Sequence, residues 1–160
     1  MRLRAFRQHD LARLTELTIA TFGPFLKDGF RPVVGELVFA NQHGDWRGDY
    51  RTLLADLHEP DQHKHVVVAE IDTTVAGYVA WSVDPDHRNG RVVILAVDAG
   101  HRRHGLGAAL CGHALDQMRA AGAEVAVIGT GGDEFHAPAR ALYESLGCVG
   151  YPVAMYYLHL

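Results

Sequence analysis

The sequence predicts a mixed α/β fold, one sheet with helices on both faces, and three observations carry that prediction. The periodicities run in the order strand, helices, three strands, then strand–helix–strand–helix–strand. His65–Ile71 and Val75–Trp81 are rich in β-branched and aromatic residues. The short polar stretch Asp72-Thr73-Thr74 separates them, as in an antiparallel hairpin. Arg91–Val97 is apolar on both faces, as a central strand would be, and leads through a basic, glycine-bearing loop into an amphipathic helix.

Taken in order, Arg2–Phe6 is a short alternating stretch suited to an edge strand. Asp10 is placed to cap a helix whose apolar face reads Leu11, Leu14, Thr18 and Phe22, with Gly23-Pro24 as its stop. Val33, Val34, Leu37 and Val38 suggest a second helix, and Tyr50, Leu53, Leu54 and Leu57 a third that ends before Pro60. After the three strands, Leu106, Leu110, Cys111, Ala114, Leu115 and Met118 form one helical stripe closed by Ala121-Gly122. Val125–Ile128 reads as a buried strand. Pro138 opens a helix bearing Leu142, Tyr143 and Leu146 and stopped by Gly147, and Val153–His159 is a closing strand.

Bulk properties narrow the function classes. The 160 residues, 48% apolar and 21% charged, suit a single globular domain over 1–160. A net charge of -4 with scattered arginines argues against nucleic acid as a partner. No apolar stretch reaches the length of a membrane span, Met1–Arg7 does not read as a secretory leader, and Cys111 and Cys148 look like buried thiols; the expected location is the cytoplasm. Eleven histidines are present, but the nearest pairs, His63/His65 and His101/His104, lack cysteine or carboxylate neighbours at zinc-site spacing, so no metal is expected.

The most informative segment is Val97-Asp98-Ala99-Gly100-His101-Arg102-Arg103-His104-Gly105-Leu106-Gly107-Ala108. A helix start presents unpaired N–H groups and the positive end of its dipole, a suitable seat for phosphate. Gly105 and Gly107 would let a pyrophosphate approach the backbone, and Arg102 and Arg103 add charge. Neither the Rossmann fingerprint nor the P-loop is present.

Leu95-Ala96-Val97 followed by Arg102-Arg103-His104-Gly105-Leu106-Gly107 resembles motif A of the GCN5-related N-acetyltransferases (GNAT). Ala139-Arg140-Ala141-Leu142-Tyr143-Glu144-Ser145-Leu146-Gly147, some forty residues on, resembles their motif B. The resemblance spans about Val66 to Leu160. It implies a GNAT-type mixed, mostly antiparallel twisted sheet of about six to seven strands with helices on both faces. It also implies acetyl-CoA as cosubstrate, its pantetheine arm pairing with Leu95–Val97 in a splay between two strands. Its pyrophosphate would rest on Arg103–Ala108, and His136 and Ala139 would lie near the arm. The activity implied is transfer of an acetyl group to a primary amine by direct attack on the thioester. Tyr143, at the motif B tyrosine position, would protonate the departing thiolate, a phenol being a weaker acid than a thiol.

The sequence departs from the family in two places. The strand over Arg91–Val97 has no glutamate to serve as base, which leaves Glu70, Asp133 and His136 as candidates reached through water. His136 stands where relatives often carry asparagine. The acceptor wall is expected in Phe25–Tyr50, where acidic and aromatic residues, Asp45 and Trp46 among them, could attract an amine. The expected acceptor is a small molecule, and nothing in the sequence excludes a homodimer. A non-catalytic acyl-CoA-binding sensor of the same fold is the alternative reading, and Tyr143 argues against it.

Overall fold

The computed structural model describes residues 1–160, and its sheet forms as the periodicities predict. Strand β1 (Arg2–Ala5) pairs with β2 (Lys64–Ile71), β2 with β3 (Thr74–Asp84) and β3 with β4 (Asn89–Val97), all antiparallel. Strand β5 (Val125–Ile128) joins β4 in parallel, so spatial order follows chain order. The β2–β3 turn is tight because Asp72 and Thr73 both take positive φ, 45° and 67°, as the right-handed twist of a two-residue hairpin requires.

Two extra residues shape this sheet. Ala69 faces Gly77 and Glu70 faces Val75, so Ala76 is unmatched and the alternation of β3 flips there. Ala80 faces Ile94 while Trp81 faces Val92, which leaves Val93 unmatched on β4. Pairing of β4 with β5 runs only from Asn89–Val125 to Val92–Ile128. The two strands therefore separate at the bulge.

Each sheet face is covered by helices, as expected. On one, Val67, Val79 and Trp81 pack on Leu110, Cys111 and Met118 of α5 (Leu106–Ala120). On the other, Val68, Tyr78 and Ile94 pack on Leu14 and Leu17 of α1 (Leu11–Pro24) and on Leu54. The Tyr78 hydroxyl is satisfied by Thr18, which in turn donates to the Leu14 carbonyl, so the buried polar pair is complete.

Several expectations are corrected. Gly23-Pro24 does not stop the helix. Wider, π-type turns over Phe25–Phe30 absorb the missing N–H and the ring of Pro24, and the chain continues into α2 (Arg31–Val34). Gly23 is there for packing: a Cβ would stand 2.8 Å from the Trp46 ring. The second expected helix is broken by Gly35 (φ 83°) into α2 and α3 (Glu36–His43). The third is α4, Trp46–Ala55, which starts earlier because Asp45 caps it by accepting from the Gly48 N–H. Helix α6 is Ala137–Ser145. Strand β5 is exposed where a buried strand was expected, since it has a neighbour on one side only. Val153–His159 forms no strand, so the sheet has five strands, below the six to seven expected. A strand needs a partner edge; this segment instead is exposed along its whole length, with Tyr157 edge-on to Phe30 at 5.6 Å. No helix is long and apolar enough to cross a membrane.

Asp10 also does something other than cap α1. Its side chain is 3% exposed and accepts two bonds from the Arg4 guanidinium, at 2.8 and 2.9 Å, and one from the Arg7 N–H at 2.8 Å, while Arg4 also reaches Glu70 at 2.8 Å. The network ties β1, β2 and the start of α1 together. The Arg4 bonds hold the Asp10 carboxyl below the usual carboxylate range, against the opposing effect of burial. A depressed folded value means that this stabilisation is complete above the ordinary value near 3.9 and is lost as pH falls through the lower folded one. Asp10→Ala should cost about 2–4 kcal/mol in urea unfolding at neutral pH, because it leaves Arg4 short of a partner. The gap to wild type should close in acid. A gap unchanged down to about pH 2 would contradict the assignment to the charged pair.

Candidate active site

The separation of β4 from β5 opens a cleft of about 230 Å³ lined by Val92–Leu95, Ile128–Thr130, Ala139 and Tyr143. Beyond Val92 the edge of β4 that faced β5 has no strand beside it, so its backbone groups make no ladder bonds on that side, and Arg102 takes the Val97 carbonyl. Leu95 lines the cleft, but Ala96 is buried on the α1 side and Val97 is half-buried beside α5, and neither lines it. Strand β4 is interior to the sheet and contributes to both faces as expected, Val92 to the α5 side and Ile94 and Ala96 to the α1 side.

From Val97 the chain turns through Ala99–His101 to α5. Asp98 holds the turn: it accepts from the Gly100 N–H at 3.0 Å and pairs with Arg13 of α1 at 2.8 Å. Gly105 is the residue before the helix and takes φ 79°, a conformation open to glycine at little cost. The first turn of α5 then offers the N–H groups of Leu106, Gly107 and Ala108, which have no partner within the helix. Gly107 has a packing reason as well, since a Cβ there would stand 3.3 Å from Leu142 of α6. Arg102 departs from expectation. Its Nε donates to the Val97 carbonyl at 3.0 Å and its Nη2 reaches Thr21 at 3.4 Å, so it braces the loop. Arg103 (φ 61°) and His104 are exposed beside the helix start, and Leu106 is a core side chain.

Tyr143 projects from α6 toward the cleft and packs against the α5-side core. Burial pushes its hydroxyl up to about 12, with Cys111 and Cys148 adding to the effect, so it is protonated at neutral pH.

A second, larger cavity of about 900 Å³ adjoins the first. Phe22, Tyr50, Thr130 and His136 line both. Phe22 and Tyr50 are stacked at 5.7 Å, and Phe25 lies 4.6 Å from the His136 ring and 5.4 Å from Phe135. Of the segment expected to form the acceptor wall, Phe25, Phe30 and Tyr50 face this cavity. Asp45 and Trp46 do not; the first caps α4 and the second is buried against Leu26 and Phe39. Asp28 and Asp49 are exposed and also lie outside the lining.

Where the cavities meet, His136 Nδ1 stands 2.6 Å from Asp133 Oδ2. Asp133 also accepts from the His136 N–H at 3.3 Å, and Arg140 donates to the carbonyls of Gly131 and Asp133 at 2.7 and 2.6 Å. The dyad sits so close over Gly131 that any Cβ there would overlap both of its side chains. Burial opposes ionisation of Asp133, but the His136 ring and the backbone donors outweigh it and hold the carboxyl below the usual range. Of the three candidate bases, Glu70 is committed to Arg4 on β1 and lies on β2, two strands from the cleft. Asp133 and His136 are brought together. No group of three or more His, Cys, Asp or Glu side chains is placed to hold a metal ion.

Sequence reasoning missed the Val93 bulge, the Phe22–Tyr50 stack and the pairing of Asp133 with His136. The last left a trace, since an aspartate three residues before a histidine at a helix start is the spacing of a capping turn.

The family model described as the acetyltransferase (GNAT) family matches residues 35–148. A mycothiol acetyltransferase of Beutenbergia cavernae is 41% identical over 76 residues, which is 48% of this chain and 24% of that protein. An aminoglycoside acetyltransferase from an uncultured soil metagenomic sample, solved with sisomicin, superposes with a TM-score of 0.64 at 18% identity, covering 99% of this chain and 95% of that one. A mutant protein from Bacillus halodurans superposes at 0.72 with 16% identity over 100% of both chains. At these identities the solved structures bear on the fold alone.

Proposed function

The chain belongs to the acetyltransferase (GNAT) family, and on that premise we propose that it moves the acetyl group of acetyl-CoA to a primary amine of a small molecule. One observation carries this reading: the cleft opened where β4 leaves β5 runs directly into the aromatic-lined cavity at Phe22, Tyr50, Thr130 and His136. Donor and acceptor would enter from two sides and meet at one place.

In this reading the acyl arm lies along the free edge of β4 near Leu95–Val97. The pyrophosphate takes the N–H groups of the first turn of α5, with Gly105 and Gly107 allowing close approach and Arg103 and His104 beside it. A β4 backbone N–H polarises the thioester carbonyl. The amine nitrogen attacks that carbon, the C–N bond forms and the C–S bond breaks. The amine proton passes to His136, whose ring is oriented by Asp133; with Nδ1–H directed to the carboxylate, Nε2 is free to accept. Tyr143 meets the thiolate. Its hydroxyl, pushed up to about 12, stands well above a thiol's value of about 8.5. It therefore stabilises the sulfur by donating a hydrogen bond more readily than by surrendering its proton outright.

Three outcomes follow. Gly105→Val should weaken acetyl-CoA binding at least tenfold in a calorimetric titration, because the required φ becomes strained and the phosphate approach is blocked; unchanged affinity would move the pyrophosphate elsewhere. Tyr143→Phe keeps the ring and its packing, so it should fold and bind acetyl-CoA normally. A hydrogen bond to a charged group contributes about 1.5–3 kcal/mol, so kcat should fall roughly ten- to a hundredfold. Wild-type turnover would assign the sulfur to water. For the base, His136→Gln should lower kcat/KM about a hundredfold or more, while Asp133→Asn, which keeps the ring but loses its carboxylate partner, should lower it less. Wild-type kcat/KM in His136→Gln would remove His136 from proton transfer.

A further inference from the structure

The larger cavity carries information about the acceptor that the family does not supply. Its inner wall is aromatic and aliphatic, Phe22, Phe25, Phe30 and Tyr50 from the helical layer, and Met155 and Tyr157 of the exposed C-terminal segment form a solvent-open outer side. Phe30 bridges these walls, edge-on to Tyr157 at 5.6 Å and to His43 at 5.0 Å. The charged inventory is short. Asp133 is the only carboxylate in the lining, no lysine or arginine lines it, and the other titratable groups are His43, His136, His159 and the tyrosines.

Each missing charge excludes a chemistry. An ammonium is best held by a carboxylate, and the single one here, Asp133, is already bonded to His136, so a second ammonium would have only the weaker aromatic faces. A carboxylate or phosphate on the acceptor would find no permanently charged arginine or lysine, only the ring N–H donors of histidines. What the walls do reward is apolar area, and about 900 Å³ is ample for a ring with a short chain.

We propose that the acceptor is an arylalkyl-type monoamine, a single primary amine on an aromatic or apolar body without an anionic group. The inference rests on the acetyl-transfer reading above and deepens it: the aromatic walls hold the body, and the amine points past Phe22 and Tyr50 to His136 at the mouth of the donor cleft.

Three probes separate the possibilities. 2-Phenylethylamine presents the ring and one amine. L-Phenylalanine adds only a carboxylate. Spermidine replaces the ring with further ammonium groups. Thiol release from acetyl-CoA by the full chain should give 2-phenylethylamine a kcat/KM at least about tenfold above either of the others. Phe30→Ala should raise the KM for 2-phenylethylamine severalfold while leaving acetyl-CoA affinity unchanged. Equal or better use of L-phenylalanine or spermidine, or an unaltered KM in Phe30→Ala, would overturn the proposal. Calorimetric binding of the three amines distinguishes the two levels of inference. Selective binding of 2-phenylethylamine without turnover would uphold the cavity's chemistry and count against the catalytic reading. Absence of both binding and turnover would overturn the acceptor assignment itself.

Discussion

The site depends on one unmatched residue. Strands β4 and β5 start as ordinary parallel neighbours, and with Val93 opposite nothing on β3 the pairing with β5 ends one residue earlier, at Val92. A bulge bends and twists its strand, so the part of β4 beyond it is carried away from β5. The consequence is chemical as well as geometric. Backbone groups that a closed sheet would satisfy internally are left facing a gap, and a gap lined by free N–H and C=O groups suits an extended, amide-bearing chain. The cost is tolerable because the rest of the sheet is anchored on both faces, by α5 on one side and by α1 and α4 on the other.

The second half of the site is built by a different device. Helix α1 runs on through Pro24 in widened turns and breaks at Gly35, and this irregular path places Phe22, Phe25 and Phe30 around one hollow. It is held in place by Trp46, which packs against Gly23, Leu26 and Phe39. Side chains that look like acceptor residues in the sequence, Asp45 and Trp46, thus support the wall from behind. The cavity is apolar because the acidic residues of this segment cap helices or face solvent.

The features legible in the sequence are those that repeat or that depend on neighbours in the chain. The β2–β3 hairpin, the α5 stripe and the glycine before α5 are local patterns, and each forms. The two motifs bring the family with them. Bulges are harder to read, because Val93 belongs to an unbroken apolar run and its mismatch exists only relative to Trp81 and Ala80 across the sheet. The path through Pro24 escapes a sequence reading for a similar reason: a local breaker is overridden by tertiary contacts, Gly23 on Trp46 among them. Val153–His159 has the composition of a strand, but composition cannot say whether an edge is available, and Tyr157 meets Phe30 instead.

The two groups proposed for proton chemistry, Tyr143 and His136, sit in opposite environments, and that contrast favours dividing the proposed roles between them. Tyr143 is held against the α5-side core, where burial keeps its hydroxyl protonated, so it can donate and cannot serve as a base. His136 stands at the mouth between two cavities, with one ring nitrogen fixed by an ionised Asp133 and the other left free. Arg140 locks the turn beneath the dyad and Gly131 leaves room for it, so its orientation does not depend on a bound molecule. A strand glutamate in the cleft would have placed a second negative charge near the departing thiolate. In the proposed reaction a base on the α6 side gains positive charge as it takes the amine proton, and that field favours a sulfur that becomes negative at the same time.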